Sequence, residues 1–297
     1  PCNFRGRMTV CPILMDLIDT HVHFLHADLF TYAWCEGNAS LAGNHTLDDY
    51  RAALGHALTG ARVQSLLFME ASVLPEEQEL EAELFTRLAN RDRGSPAIAA
   101  IIAGAQPELP EFAQQLESLA LNARVRGLRR VLSAQPDEML ESALFAENLR
   151  RLPETGLTFD LCVRPRQLAM VAALVEQCPQ TQFVLDHAGA PDVAGGEMVL
   201  WKEGIRELAA RPNVVCKFSG LGSLSDATKP LTPQVKPYFD HCLECFFPER
   251  MLWGSDWPVS ADLKTWLKTT GELLSELQDF EQAAIGTGNA NRIYRLN

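Results

Sequence analysis

The chain lacks any apolar run approaching the roughly 18 residues that a membrane helix requires, which argues against a membrane protein. It also lacks a basic surplus: 26 Lys and Arg stand against 38 Asp and Glu, a formal charge of −12. Nucleic acid, whose binding normally rests on a basic face, is thereby disfavoured. A small anionic substrate is not, because a few local arginines can outweigh the average charge. No GxGxxG or GKS/T loop follows the first strand-like run, so dinucleotide and P-loop sites lose their main support. The eight cysteines have no framework spacing: "HCLEC", with Cys242 and Cys245, is half a zinc motif without a second CxxC to answer it. It reads better as one face of a helix. Cys162 and Cys216 lie in strand-like runs and read as reduced, buried small hydrophobes, which fits a cytoplasmic setting. The opening "PCNFRGRMTVCPIL" carries positive charge but no long apolar core of a secretion signal. Residues 1–14 are therefore read as a tail, with Met8 and Met15 both candidate starts.

What the chain does have is alternation. With 47% hydrophobic and 22% charged residues it has the composition of a soluble globular protein. Short apolar runs recur eight times: "MDLIDTHVH", "VQSLLFMEAS", "IAAIIAGAQ", "VRGLRRVL", "LTFDLCVR", "TQFVLDHAG", "NVVCKFSGL" and "RMLWGSDWP". Amphipathic stretches such as "LDDYRAALGHAL", "EEQELEAELFTRLANR" and "RQLAMVAALVEQCP" separate them, with apolar residues at three- and four-residue steps. Thr46, followed by Asp48 and Asp49, has the chemistry of a helix start. Strand–helix–strand repetition demands parallel strands with right-handed crossovers. Eight units in about 280 residues predict a closed (β/α)8 TIM-type barrel over residues 15–297, as one domain without linker or repeat.

In such a barrel the working residues stand where strands run into the following loops. Here those positions carry His21 and His23, Glu70, Arg129 and Arg130, Asp186 and His187, Ser219, and Asp256. Polar groups are costly to bury without partners, so a ring of them at one mouth is better explained as a site than as separate accidents. Residues i and i+2 of a strand share a face, so His21 and His23 converge, and two neutral imidazoles can bind zinc. Taken alone, HxH reads more readily as a pair of hydrogen-bonded residues; in the eight-strand pattern, with His187 and Asp256, the ligand reading prevails. Asp256 could cap a turn or accept a proton from attacking water. Asp186 could orient His187.

Arg129 and Arg130 cannot both face the interior of a regular strand. One is expected to meet substrate oxygens through its guanidinium fork, the other to pair with an acid such as Glu70 or Asp160. Glu70 is balanced between arginine partner and metal or hydroxyl contact. Trp34 and Trp257 could stack on a sugar or close the pocket, or simply pack in loops. His26 is expected at the rim, His45 in a loop, His56 on a helix face and His241 at the surface.

Several of these segments together resemble the amidohydrolase superfamily and, within it, the lactonases similar to L-fuconolactonase. "IDTHVHF" with "YAW" downstream, "VRGLRRVL", "LCVRPRQL", "FVLDHAGAP", "VCKFSGL" and "LWGSDWPV" carry the resemblance, in that order, from about Met15 onward. It implies a (β/α)8 barrel that hydrolyses lactones of sugar acids, or related lactones from aromatic degradation. It also implies His21, His23, His187 and Asp256 as the site, around one divalent ion, zinc; similar lactonases that work without metal keep a metal-free site open. Two-metal members use a carbamylated lysine on strand four and a histidine on strand five. This chain has Arg129 and Arg130, then Asp160 and Cys162, at those places, so a two-metal site is not expected. The expected partner is a small sugar lactone, with an oligomer compatible. Histidines would polarise the carbonyl, Asp256 and His187 would act in catalysis, and Arg129, Arg130, Glu70 and the two tryptophans would hold substrate. A metal-dependent decarboxylase of an aromatic acid, or a sugar-acid binder without turnover, are the competing readings.

Overall fold

Each of the eight apolar runs forms a strand in the computed structural model, which describes residues 15–56, 60–260 and 262–296. The strands are β1 (Met15–Val22), β2 (Ala61–Met69), β3 (Ala97–Gly104), β4 (Val125–Val131), β5 (Thr158–Cys162), β6 (Phe183–Leu185), β7 (Val214–Phe218) and β8 (Met251–Trp253). They lie in sequence order, every neighbouring pair parallel, with helices on the crossovers: the (β/α)8 barrel. The expected tail, residues 1–14, lies outside the described residues, as does the side chain of His56. Among the described residues no helix is long and apolar enough to cross a membrane.

Alternation along the strands divides the core in two. Ile18, Leu67, Ile102, Val184, Val215 and Leu252 fill the inside of the barrel, together with Ile293 and Tyr294 of the C-terminal helix Asn289–Tyr294. Leu17, Leu66, Phe68, Leu128 and Phe159 point outward against the helices. The helix Leu168–Gln177 shows why: Leu168, Val171, Ala172, Leu174 and Val175 are its buried face, each Leu or Val contributing about 1.5–3 kcal/mol when fully buried. Thr46 and Asp49 cap the helix Leu47–His56 reciprocally, the Thr46 N–H donating to Asp49 and the Asp49 N–H to Thr46 Oγ1.

Two features of β1 set up the site. Between Asp19 and Val22 it advances three residues while β2 advances two, from Leu66 to Phe68. This bulge inverts the alternation, so Val22 faces outward and His21 and His23 both face inward. The second feature is the seam that closes the barrel, made largely by residues beyond the short β8. Asp256 N donates to His21 O at 2.8 Å, His23 N to Trp257 O at 2.8 Å, and Thr20 Oγ1 to Trp253 O at 2.6 Å. Buried Asp19 holds the same corner, accepting from Ser255 N at 2.8 Å and Tyr50 Oη at 2.7 Å. Burial pushes its carboxyl up to about 6 against these hydrogen bonds. Gly254 is needed here, since a Cβ would stand 2.8 Å from His21 Cβ.

Several expectations need correction. His241 is buried rather than at the surface: it packs on Trp201, with Nε2 3.3 Å from Lys202 O. Its helix, Leu231–Phe246, turns that face inward, carrying Cys242 into the core and Cys245 to its edge, the helix face expected of "HCLEC". His26 packs edge-on against Phe85 and is not part of the cavity wall. Trp257 packs among Phe24, Tyr50 and His45, the loop packing weighed above against stacking on a substrate.

Candidate metal centre and active site

At the C-terminal mouth of the barrel, four side chains from three distant segments of the sequence meet. His21 Nε2 and His23 Nε2 are 3.2 Å apart, and they stand 3.6 Å and 3.5 Å from Asp256 Oδ1. His187 Nε2 approaches the same oxygen at 4.0 Å. Both His187 and Asp256 adopt left-handed backbone, φ 54° and 60°, at the sharp turns leaving β6 and β8. Such conformations in residues other than glycine cluster at functional sites. Gly220 makes room for His187, because a Cβ there would lie 2.4 Å from its Nδ1.

The back edge of each ring decides what its front edge can do. His23 Nδ1 lies 3.1 Å from Met69 O, which can only accept, so Nδ1 carries the proton and Nε2 a lone pair. His21 Nδ1 lies 3.4 Å from the Asp186 carboxylate, which favours the same tautomer, with the Lys217 ammonium at 3.5 Å. His187 Nδ1 meets Ser219 Oγ at 2.9 Å. Asp186 thus orients His21 rather than its neighbour His187, and Ser219 serves His187. Burial holds His21 well below the usual histidine range and lowers His187 as well, outweighing the nearby carboxylates. The Nε2 atoms of His21, His23 and His187 therefore converge with a carboxylate oxygen of Asp256, three imidazole nitrogens and one oxygen around a single point.

That donor set fits a metal. Ligands about 2.0–2.1 Å from a tetrahedral zinc stand about 3.3–3.4 Å apart; the separations of 3.2, 3.5 and 3.6 Å among His21, His23 and Asp256 bracket that value. Two groups of metal-capable side chains share His21: one with His23 and Asp256, the other with Asp186 and His187.

Beneath the cluster lies a sealed layer of charge. Lys217, on β7, places Nζ 2.6 Å from Asp160 Oδ2 and 3.0 Å from Asp186 Oδ1, all three fully buried. Tyr294 Oη donates to Asp160 Oδ2 from below at 3.1 Å. Burial works to raise the Asp186 carboxyl, but Lys217, His21 and Arg129 overcome it and hold it well below the carboxylate range. Asp160 is therefore not an arginine partner. Arg129 faces inward and is claimed twice, by Glu70 Oε1 at 3.0 Å and Asp186 Oδ2 at 3.1 Å. Glu70 is accordingly an arginine partner, with its other oxygen accepting from Ser72 N at 2.8 Å. Arg130 pairs with Glu108, just beyond β3.

A cavity of about 420 Å3 opens above these groups, walled by His23, His187, Asp256, Glu70, Arg129, Arg130 and Trp34. Trp34 reaches in from the long loop after β1, its Nε1 donating to Ala71 O at 2.7 Å. Eight of the nine expected site residues thus lie on the cavity wall or, for His21, in the side-chain cluster at its floor; Trp257 is not among the wall residues. The sequence reading passed over Lys217, Glu108 and Asp19. A charged residue inside the apolar run "VVCKFSG" was the available signal for the first.

The family model described as Amidohydrolase matches residues 18–296. The chain belongs to the amidohydrolase family. It is an enzyme family, and this amidohydrolase is 29% identical to L-fucono-1,5-lactonase of Burkholderia multivorans, over 94% of this chain and 96% of that protein. An L-fucono-1,5-lactonase of Burkholderia ambifaria is 30% identical, over 67% of this chain and 71% of the relative. Among solved structures, a Burkholderia multivorans amidohydrolase crystallised with bound zinc superposes with a TM-score of 0.82 at 28% identity, covering 95% of this chain and 99% of that one.

Proposed function

We propose that the protein hydrolyses the ring ester of a sugar-acid lactone, with one zinc ion held by His21, His23, His187 and Asp256. The observation that carries this reading is the convergence of His21 Nε2, His23 Nε2 and Asp256 Oδ1, 3.2–3.6 Å from one another, on one point of the cavity floor. The relatives named for L-fucono-1,5-lactone and the zinc-bound neighbour support it. A divalent ion there supplies Lewis-acid polarisation of the ester carbonyl and makes water more acidic.

The chain's own residues do the rest. Asp256 takes the proton from the attacking water as its oxygen bonds to the carbonyl carbon. When the ring C–O bond breaks, that proton passes to the leaving ring oxygen, giving the open hydroxy acid. His187, steadied by Ser219 at 2.9 Å, would help hold the ion, whose charge would offset the developing oxyanion. Trp34 offers an apolar face to the ring, and Arg130 a donor edge to its hydroxyls. A lactone is a reactive ester, so this sparse machinery suffices.

The test is proton release from a panel of five- and six-membered aldonolactones by wild type and Asp256→Asn. Wild type is expected to open at least one of them, and D256N to lose about 10³-fold in kcat while melting like wild type. Near-normal turnover by folded D256N, or carbon dioxide release from aromatic acids without lactone opening, would overturn the reading.

A further inference from the structure

Charge in the cavity wall bears on which lactones enter. An unpaired guanidinium beside a pocket is a strong receptor for carboxylate or sulfonate. Two guanidinium groups stand in this wall, Arg129 and Arg130. Arg129 is spent, being buried between Glu70 and Asp186 at 3.0 and 3.1 Å. Arg130 is nearer the opening, with 17% of its side chain exposed, and its charge is met by Glu108, 15% exposed. The contact uses Nη2 and Oε1 alone, leaving Arg130 Nε and Glu108 Oε2 buried without partners.

Glu108 is braced in that position. Buried Asn148 donates from Nδ2 to the carbonyls on either side of it, Pro107 O at 2.9 Å and Leu109 O at 3.1 Å. Gln106 N, two residues before Glu108, donates to Gln115 Oε1 at 3.0 Å. A segment pinned at three points keeps the carboxylate facing Arg130 rather than swinging into water. No other basic residue stands in the cavity wall among the described residues.

We infer that Glu108 sets the charge preference of the site: by neutralising Arg130 it selects uncharged polyhydroxy lactones over lactones bearing a carboxylate or sulfonate. The inference rests on the lactone-hydrolase reading above and names the substrate class within it. Arg130 then serves as a hydrogen-bond donor to hydroxyls and not as an anion receptor. Without Glu108, a bare guanidinium about 5 Å from a substrate anion would favour it by about two orders of magnitude at an effective dielectric of about 20.

The experiment measures kcat/KM for a neutral aldonolactone and for a lactone of the same ring size carrying a carboxylate, with wild type, E108Q, E108D and the double variant E108Q/R130Q. E108Q is expected to raise the anionic-to-neutral ratio at least tenfold, E108D to stay near wild type, and the double variant to lose the gain. An unchanged ratio in E108Q overturns the inference while wild-type turnover of the neutral lactone leaves the functional reading standing; a gain that persists in the double variant overturns it too, since no charge would then explain it. Should wild type open neither lactone, the functional reading fails and calorimetric binding of malonate decides the role of Glu108 separately. At least tenfold tighter binding to E108Q than to wild type supports it, and equal affinity overturns it. E108A replaces E108Q in both arms if the glutamine variant shows no cooperative melting.

Discussion

The mouth of this barrel carries two tiers of charge that differ in what they touch. The upper tier, His23, His187 and Asp256, lines the cavity, and its polar atoms face one another across 3.5 and 4.0 Å. The lower tier, Lys217, Asp160 and Asp186, is sealed, and its charges compensate internally at 2.6 and 3.0 Å. His21 belongs to both, with Nε2 in the upper tier and Nδ1 against the lower. A buried charge pair adds little net stability but is costly to break, whereas polar groups gathered on a cavity wall are available to a ligand. If the lower tier is a foundation and the upper the proposed site, variants in the two should fail differently.

Breaking the foundation should have the largest effect on folding. Lys217→Met leaves two buried carboxylates without their ammonium and is expected to cost about 3–5 kcal/mol in chemical denaturation; wild-type stability would erase the distinction between the tiers. In the upper tier His23→Asn should leave the denaturation midpoint within about 1 kcal/mol of wild type while weakening zinc affinity at least about 100-fold, because a direct ligand is lost. A calorimetric titration with zinc checks it. Ser219→Ala removes only the group that orients His187 and should cost about tenfold in zinc affinity or lactone turnover, the size typical of a residue acting through a ligand.

The smallest effect is one of protonation. Since burial lowers both His21 and His187, their imidazoles in the metal-free protein should stay neutral at pH 6.5, where an exposed histidine is half protonated. The sign for stability follows: below pH 6.5 the unfolded chain takes up protons that the folded chain refuses, so these two residues cost stability as pH falls through that value and nothing above it. Nitrogen-detected NMR of the histidine rings, followed from pH 8 to 5, reads this directly; titration of both near 6.5 would remove the case for neutral ligands.

The barrel was legible because period-2 and period-3.6 patterns alternate eight times, and backbone chemistry allows few other arrangements of such a chain. His21, His23, His187 and Asp256 were legible for a related reason: polar residues at the ends of apolar runs must share the mouth. The bulge between Asp19 and Val22 was not, although it is what turns both histidines inward, because an extra residue in one strand leaves no mark on hydrophobic alternation this short. Partner choice was hidden as well. Arg130 meets Glu108 across 22 positions and Asp160 meets Lys217 across 57, pairings that only the register of β3, β4, β5 and β7 determines. His241 was misplaced by residue type alone: a histidine on a helix, expected at the surface, is buried with its ring packed on Trp201.

The most direct measurement of the central claim is to strip the protein with a chelator and titrate zinc back while following both heat and the opening of a sugar lactone. One equivalent of zinc is expected to bind per chain, with hydrolysis returning in step with it. Full hydrolysis by the stripped protein, or one equivalent bound equally well by His23→Asn, would contradict it.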